Sequence, residues 1–195
     1  IATIPVGERD ATEFGILKTD EQHCISSFIE KPSSDKLPAW VSNTGEDMMI
    51  HGRHYLASMG IYIFNRKLLF DLLLDEKKDA TDFGKEIIPD AIEKYKVVSF
   101  QYDGYWTDIG NIYSFFEANL ALTLDLPPFN LFDNRKMVYS RARMLPPAKI
   151  SGTTMQQTIM AEGCIIHAAS LVNSVIGIRS RIGAGCNIVS CYLMG

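Results

Sequence analysis

Three short motifs in this chain place side chains that can hold a charged, hydroxylated ligand. Gly104-Tyr105-Trp106-Thr107-Asp108-Ile109-Gly110 sets one carboxylate among aromatics and glycines. Glycines let backbone and ligand approach closely, the aromatics offer an apolar wall, and Asp108 is the strong anionic ligand within reach. Two readings of Asp108 stand: a ligand for a cation, since a carboxylate in apolar surroundings needs a partner, and a cap on the helix that follows. Phe28-Ile29-Glu30-Lys31-Pro32 ends a strand with a charged pair. Pro32 biases Lys31 toward extended backbone, so its ammonium has few directions open. A Lys fixed there can neutralise a phosphate while Glu30 accepts hydrogen bonds from hydroxyls; the same triplet also reads as a solvated turn. In Ala57-Ser58-Met59-Gly60-Ile61-Tyr62 a small hydroxyl and a glycine interrupt an apolar strand. That pattern marks either a bulge or a place where a ligand comes close to Ser58.

The elements that must position these residues alternate in type. Ile1 to Val6, Glu13 to Lys18, Cys24 to Glu30, Tyr55 to Phe64 and Lys96 to Tyr102 read as strands. Lys67 to Leu74 (behind Asn65 as N-cap), Asp82 to Tyr95 and Ile112 to Leu124 read as helices with one apolar face. The polar segment from Ser33 to Arg53 is long for a loop, which points to function or mobility. The pattern is that of an α/β protein with a Rossmann-like sheet flanked by helices, a class that binds ligands beyond its strand ends.

Beyond about residue 125 the pattern changes. Pro127-Pro128 and Pro146-Pro147 punctuate a stretch without helical period, read as a linker over 126–157. From 158 to 195 a period of six emerges: Met160, Ile166, Val172 and Ile178 in one series, Ile176, Ile182, Ile188 and Met194 in another. Glycine follows at Gly177, Gly183 and Gly195. Stacked aliphatics with turn glycines at this period predict a hexapeptide β-helix. The chain opens inside a strand with no initiator Met or signal peptide, and roughly two coils fit at its end. Both ends are therefore expected to be cut from a longer protein, leaving the β-helix incomplete.

Composition narrows the classes. The chain has 195 residues, 47% apolar and 22% charged, with a net charge of -4. It is a globular composition, without the basic surface that nucleic acid demands. No run of about 20 apolar residues is present to span a membrane. Cys24, Cys164, Cys186 and Cys191 make no C-x-x-C pair and are expected as small buried hydrophobes in a reducing cytosol. His51 and His54 sit in a Gly/Asn/Asp-rich loop and are expected to be solvated.

The three motifs, followed by the hexapeptide repeat, resemble the glucose-1-phosphate adenylyltransferase (ADP-glucose pyrophosphorylase) family. So do Glu13-Phe14-Gly15-Ile16, Asp82-Phe83-Gly84-Lys85-Glu86-Ile87-Ile88-Pro89, Arg143-Met144-Leu145-Pro146-Pro147 and Ser174 to Gly183. The likeness runs over essentially the whole chain. It implies that residues 1–125 are the sugar-phosphate portion of a nucleotidyltransferase domain, and that the repeat is a left-handed β-helix. It implies ATP and glucose 1-phosphate as substrates, ADP-glucose and pyrophosphate as products, and a role in glycogen or starch synthesis. Lys31 would contact the phosphate; Gly15, Glu30 and Ser58 would contact the sugar; Asp108 would be one of two aspartates holding Mg²⁺. It further implies an allosteric, cytoplasmic homotetramer, with Arg143 at an anion-effector site; Arg141, Lys149, Arg179 and Arg181 are nearby cations that read equally as solvated surface charge.

One departure is Asn111, where the family often has Thr; it bears on helix capping more than on chemistry. A larger departure is the lack of the family's Gly-rich loop, triphosphate-binding Arg and Lys, and second metal aspartate. Base specificity lies in those parts, so another sugar-1-phosphate nucleotidyltransferase stays open. A non-catalytic regulatory subunit also stays open, although Lys31 and Asp108 weigh against it. An acyltransferase of hexapeptide type is disfavoured by few coils and by His167 standing alone in the repeat. On its own the 195-residue chain is expected not to turn over ATP and glucose 1-phosphate; measurable pyrophosphate release from it would overturn that.

Overall fold

Ile16 and Leu17 are adjacent and both fully buried, so the strand that holds them must be covered on both faces. The computed structural model describes residues 1–76 and 78–195 and divides into units Ile1–Trp106 and Thr107–Gly195. In the first unit, β1 (Ala2–Val6), β2 (Gly15–Thr19), β3 (Ile25–Glu30), β4 (Tyr55–Ser58) and β5 (Phe100–Gln101) form a mixed sheet ordered β3-β2-β4-β1-β5. The β1–β5 pair is parallel and its neighbours are antiparallel. Helices α1 (Glu8–Ala11), α2 (Glu46–Ile50), α3 (Arg66–Phe70) and α4 (Ile88–Lys94) accompany it. Ile4, Val6, Ala11, Ile16, Leu37, Tyr55 and Ala57 pack as one cluster. Leu17, Ile25 and Leu56 pack as another, with Phe28 and Ile92 against them.

Several expected elements differ in extent. The strand expected over Tyr55 to Phe64 stops at Ser58. Ala2 accepts from Met59 N–H (3.0 Å) but donates to the Ile61 carbonyl (2.9 Å), so the ladder slips around Gly60 at φ +71°. This is the bulge that one reading of Gly60 anticipated. The segment from Ser33 to Arg53 is anchored rather than loose: it holds a 3₁₀ turn at Leu37–Trp40 and helix α2, and Leu37 is buried. Asn65 caps α3 as expected, accepting from Lys67 N–H at 3.0 Å. The helix expected from Asp82 splits into a π-type turn, Phe83–Ile87, and α4. Pro89 sits in the first turn of α4, where its missing N–H costs nothing. Lys94 then bridges Asp90 (2.9 Å) and Glu76 (3.0 Å). Hydrogen bonds from Lys94 and Tyr95 hold the Glu76 carboxyl below its ordinary range, so this clasp weakens only as pH falls through that lowered value.

In the second unit, α5 (Ile112–Ala121) is followed by β6 (Lys149–Ile150), β7 (Thr154–Met160), β8 (Ile165–Ile166), β9 (Ser170–Ile176), β10 (Arg181–Ile182), β11 (Asn187–Val189) and β12 (Tyr192–Leu193). All their pairings are parallel. Registers such as Ile150↔Ile166 and Met160↔Ile176 advance by 16 residues, while Leu171↔Ile188 and Ile176↔Leu193 advance by 17. Successive turns therefore stack into a β-helix with inward columns Ile150/Ile166/Ile182, Met155/Leu171/Ile188 and Met160/Ile176/Leu193. The strict sixfold phase holds only in part. Leu171 and Leu193 face inward where six-residue counting selects Val172 and Met194, and Met194 is 82% exposed. At Leu193 the slip has a backbone cause: Ser190 turns its corner in left-handed conformation, as Gln157 and Asn173 do in the preceding turns, and the step from Ile188 is one residue short. Gly177 faces the Leu193 carbonyl and Gly195 nitrogen of the next turn at 2.7 and 2.5 Å from where a Cβ would be. The cysteines are all free, but only Cys164 is buried and Cys186 is exposed, so burial does not account for the set.

Leu171→Ala should cost about 2–5 kcal/mol by leaving a cavity, whereas Met194→Ala should change stability by less than about 0.5 kcal/mol. Urea unfolding of both variants checks this; the opposite order would restore the strict sixfold phase.

Candidate functional site

The register of the sheet gathers three of the expected ligand residues. Gly15 lies opposite Glu30 across β2 and β3. The β2–β4 register, Ile16↔Ala57 and Leu17↔Leu56, carries on to bring Ser58 beside Gly15. Opposite residues of antiparallel strands share a face, so Glu30, Gly15 and Ser58 form a row continuing the apolar row of Phe28, Leu17 and Leu56. The sheet thus turns from apolar to polar within two residues, at its rim.

Gly15 shapes this rim by what it lacks. A Cβ there would meet the Phe28 ring and, at 2.8 Å, Glu30 Oε2. A Cβ on Gly84 would meet the same oxygen at 2.8 Å. The Glu30 carboxylate therefore lies in a cradle between two glycines from different elements. Gly84 is held there by a reciprocal cap: Asp82 Oδ1 accepts from Lys85 N–H (2.9 Å), and Glu86 Oε1 accepts from Thr81 and Asp82 N–H (3.0 and 3.1 Å). Sequence reading placed Gly84 in a recognisable stretch but gave it no role. The signal was a glycine inside an otherwise helical segment, which needs a packing or functional reason. Among the described residues no side chain or backbone N–H donates to the Glu30 carboxylate, and it is half-buried.

Lys31 stands at the end of this row, exposed, with its N–H donating to the Phe14 carbonyl at 3.0 Å. Its backbone is not extended as Pro32 led one to expect. Lys31 adopts φ +45°, because the chain leaves the ladder there and buries Pro32. A non-glycine residue in the left-handed region is strained by roughly 1–2 kcal/mol, a cost that tends to collect at ligand clamps. Ser58 is 9% exposed and its Oγ accepts from Gly60 N–H at 3.3 Å, with Tyr62 Oη 3.5 Å away. Tyr62 stacks on Phe83 at 5.8 Å, next to Gly84. Phe14 meets Trp106 edge-on at 5.4 Å.

Asp108 belongs to the second unit. It is exposed, and its Oδ2 accepts from Gly110 N–H at 3.1 Å. Helix capping, one of its two readings, falls to Asn111, whose Oδ1 accepts from Ser114 N–H at 2.9 Å. The aromatic wall is only partial, since Tyr105 is 43% exposed. No group of three or more His, Cys, Asp or Glu suited to a metal occurs among the described residues.

Elsewhere in this second unit, Arg141, Arg143 and Arg179 line a pocket of about 190 Å³ with Leu145 and Ile178. Arg179 holds φ +58° one turn above Gly163, which takes φ +77° at the matching corner. Lys149 and Arg181 lie outside the pocket lining.

Two family models account for most of the chain. Residues 1–124 match the nucleotidyl transferase model. The chain belongs to the nucleotidyl transferase family. Residues 143–195 match the GLGC left-handed parallel β-helix domain, in accord with the parallel stacking of β6 to β12. The rim of Glu30, Gly15, Ser58 and Lys31 thus lies within the transferase domain, as does Asp108. The arginine pocket falls mainly within the β-helix match. No helix is long and apolar enough to cross a membrane among the described residues.

Gly15→Ala in this transferase domain should destabilise by about 1–3 kcal/mol, because the Phe28 ring packed there must yield. Urea unfolding reads the effect; an unchanged midpoint would mean that the cradle tolerates a side chain.

Proposed function

We propose that this chain carries the sugar-phosphate side of an enzyme that forms ADP-glucose and pyrophosphate from ATP and glucose 1-phosphate. The observation that carries the reading is the row of Glu30, Gly15 and Ser58, with Lys31 next in the chain after Glu30 and bonded through its N–H to the Phe14 carbonyl. A carboxylate that accepts no hydrogen bond among the described residues, a hydroxyl and an open glycine backbone suit sugar hydroxyls. The exposed Lys31, which follows Glu30 in the chain, carries an ammonium that suits a phosphate. The β-helix match favours the ADP-glucose branch over other sugar nucleotides.

In the reaction an oxygen of the sugar phosphate attacks the α-phosphorus of ATP, and the bond to the departing pyrophosphate breaks. No protein nucleophile is needed, so positioning and charge compensation carry the catalysis. Glu30 and Ser58 fix the sugar, the Gly15 backbone lies against it, and Lys31 orients and neutralises the attacking phosphate. Mg²⁺, when bound, offsets charge on the phosphates. Asp108 fits as one of its ligands: one carboxylate oxygen holds Gly110 N–H, the other takes no hydrogen bond among the described residues, and Mg²⁺ commonly takes one or two carboxylates together with water and phosphate oxygens. The assembly proposed with this activity is a cytoplasmic homotetramer.

A second reading concerns regulation. Three arginines lining one pocket suit a metabolite with anionic groups, and Arg143 is proposed as its anchor. An Arg143→Ala enzyme whose effector response matches the parent would remove it.

The primary reading is tested by calorimetric titration with glucose 1-phosphate. Lys31→Ala should weaken binding roughly 10-fold or more, the scale of a charge-assisted hydrogen bond, while weak glucose binding followed by saturation-transfer NMR stays unchanged. Equal loss for both sugars, or no loss, contradicts the assignment.

A further inference from the structure

Helix α5 joins two features that the sequence treats separately. At its start, Asp108 and Asn111 make consecutive side-chain-to-backbone turns onto Gly110 and Ser114. The Asp108 loop is therefore tied to the helix N-terminus by two consecutive local bonds. Just past its end, Thr123 is 6% exposed, and its hydroxyl donates to Asn173 Oδ1 at 2.7 Å while lying 2.8 Å from the Leu120 carbonyl. Asn173 is a corner residue of the β-helix at φ +45°. Its Nδ2 donates to Ser190 Oγ, one turn above, at 3.2 Å. Between these ends Phe115 meets Tyr192 edge-on at 4.9 Å. Ten helical residues thus run from the acidic loop to a clamp on the β-helix wall.

We propose that Thr123 and Asn173 are positioning residues for Asp108: the β-helix corner grips α5, and α5 sets the direction of the Asp108 carboxylate. The proposal rests on the reading of Asp108 as a metal ligand. Local sequence gives Asn173 a second reason to be asparagine, since it tolerates the left-handed corner at low cost. That reason alone does not require a partner on α5. The buried hydroxyl of Thr123 gives it one, because an apolar isostere would leave the Asn173 amide with one bond fewer at a part-buried contact. Ser190 and Gln157 occupy the same corner in adjacent turns, yet Asn173 is the one bonded to Thr123. Displacement of the coil at this level would consequently be felt at Asp108 through α5, without any change in the loop's own sequence.

Two measurements on the 195-residue chain test this. Hydrogen exchange of amides 110–115 should quicken roughly 5-fold or more in Thr123→Val and in Asn173→Ala, the scale of one lost hydrogen bond, with β2 and β4 unaffected. Thr123→Ser should restore the parent rate. Mn²⁺ binding, followed by electron paramagnetic resonance and defined by what Asp108→Asn removes, should weaken by a similar factor in Thr123→Val and recover in Thr123→Ser. Unchanged exchange at 110–115 in both disruptive variants overturns the positioning role, whatever Asp108 binds. Faster exchange with Mn²⁺ affinity unchanged overturns it too, because the carboxylate would then be oriented without the clamp. Identical Mn²⁺ binding by the parent and Asp108→Asn would instead overturn the metal reading of Asp108, leaving the exchange data to judge the tether alone. A Thr123→Val chain that fails to fold shifts the test to Asn173→Ala and to the Thr123→Ser comparison.

Discussion

The Glu30 carboxylate lies where two side chains are missing, and the proposed ligand chemistry depends on that space. Gly15 and Gly84 each leave a Cβ-sized gap that Glu30 Oε2 fills at 2.8 Å. Were either gap closed, the carboxylate would swing off the rim of the sheet and out of line with Ser58. The surrounding structure serves this placement: β2 and β3 fix Gly15 opposite Glu30, and the cap between Asp82 and Glu86 fixes the turn carrying Gly84. An acceptor to which none of the described residues donates, on strands rather than a loop, is preorganised for a ligand that brings its own hydroxyls.

Much of this was legible in the sequence. Strand and helix existence followed from periodicity, and Asn65 announced its cap by type and place. What stayed hidden follows from tertiary context. Nothing local says that Gly84 would come to lie beside Glu30, some fifty residues away in the chain. Pro32 pointed to an extended Lys31, yet the end of the ladder and the burial of Pro32 overrode that local preference. The strand through Gly60 ended early because the bulge redirects its pairing. Asp108 could be read as cap or ligand from sequence; the structure gives the capping role to Asn111, and Asp108 Oδ2 holds only the Gly110 N–H among the described residues.

The β-helix makes the same point about phase. Six-residue counting identified the architecture but misassigned Val172 and Met194 as inward. Left-handed corners at Gln157, Asn173 and Ser190 each save a residue, and residue counting cannot see a corner conformation. Those corners are also where the coil acquires polar handles, and one of them reaches Thr123 beyond α5. Stacking order and loop geometry are thereby linked within one unit.

The central claim is that the rim of Glu30, Gly15, Ser58 and Lys31 binds a sugar phosphate. A crystal structure of the chain with glucose 1-phosphate tests it most directly. The account predicts sugar hydroxyls on Glu30 and Ser58, the ring against Gly15, and the phosphate on Lys31. A sugar phosphate bound elsewhere, with this rim occupied by water alone, would contradict it.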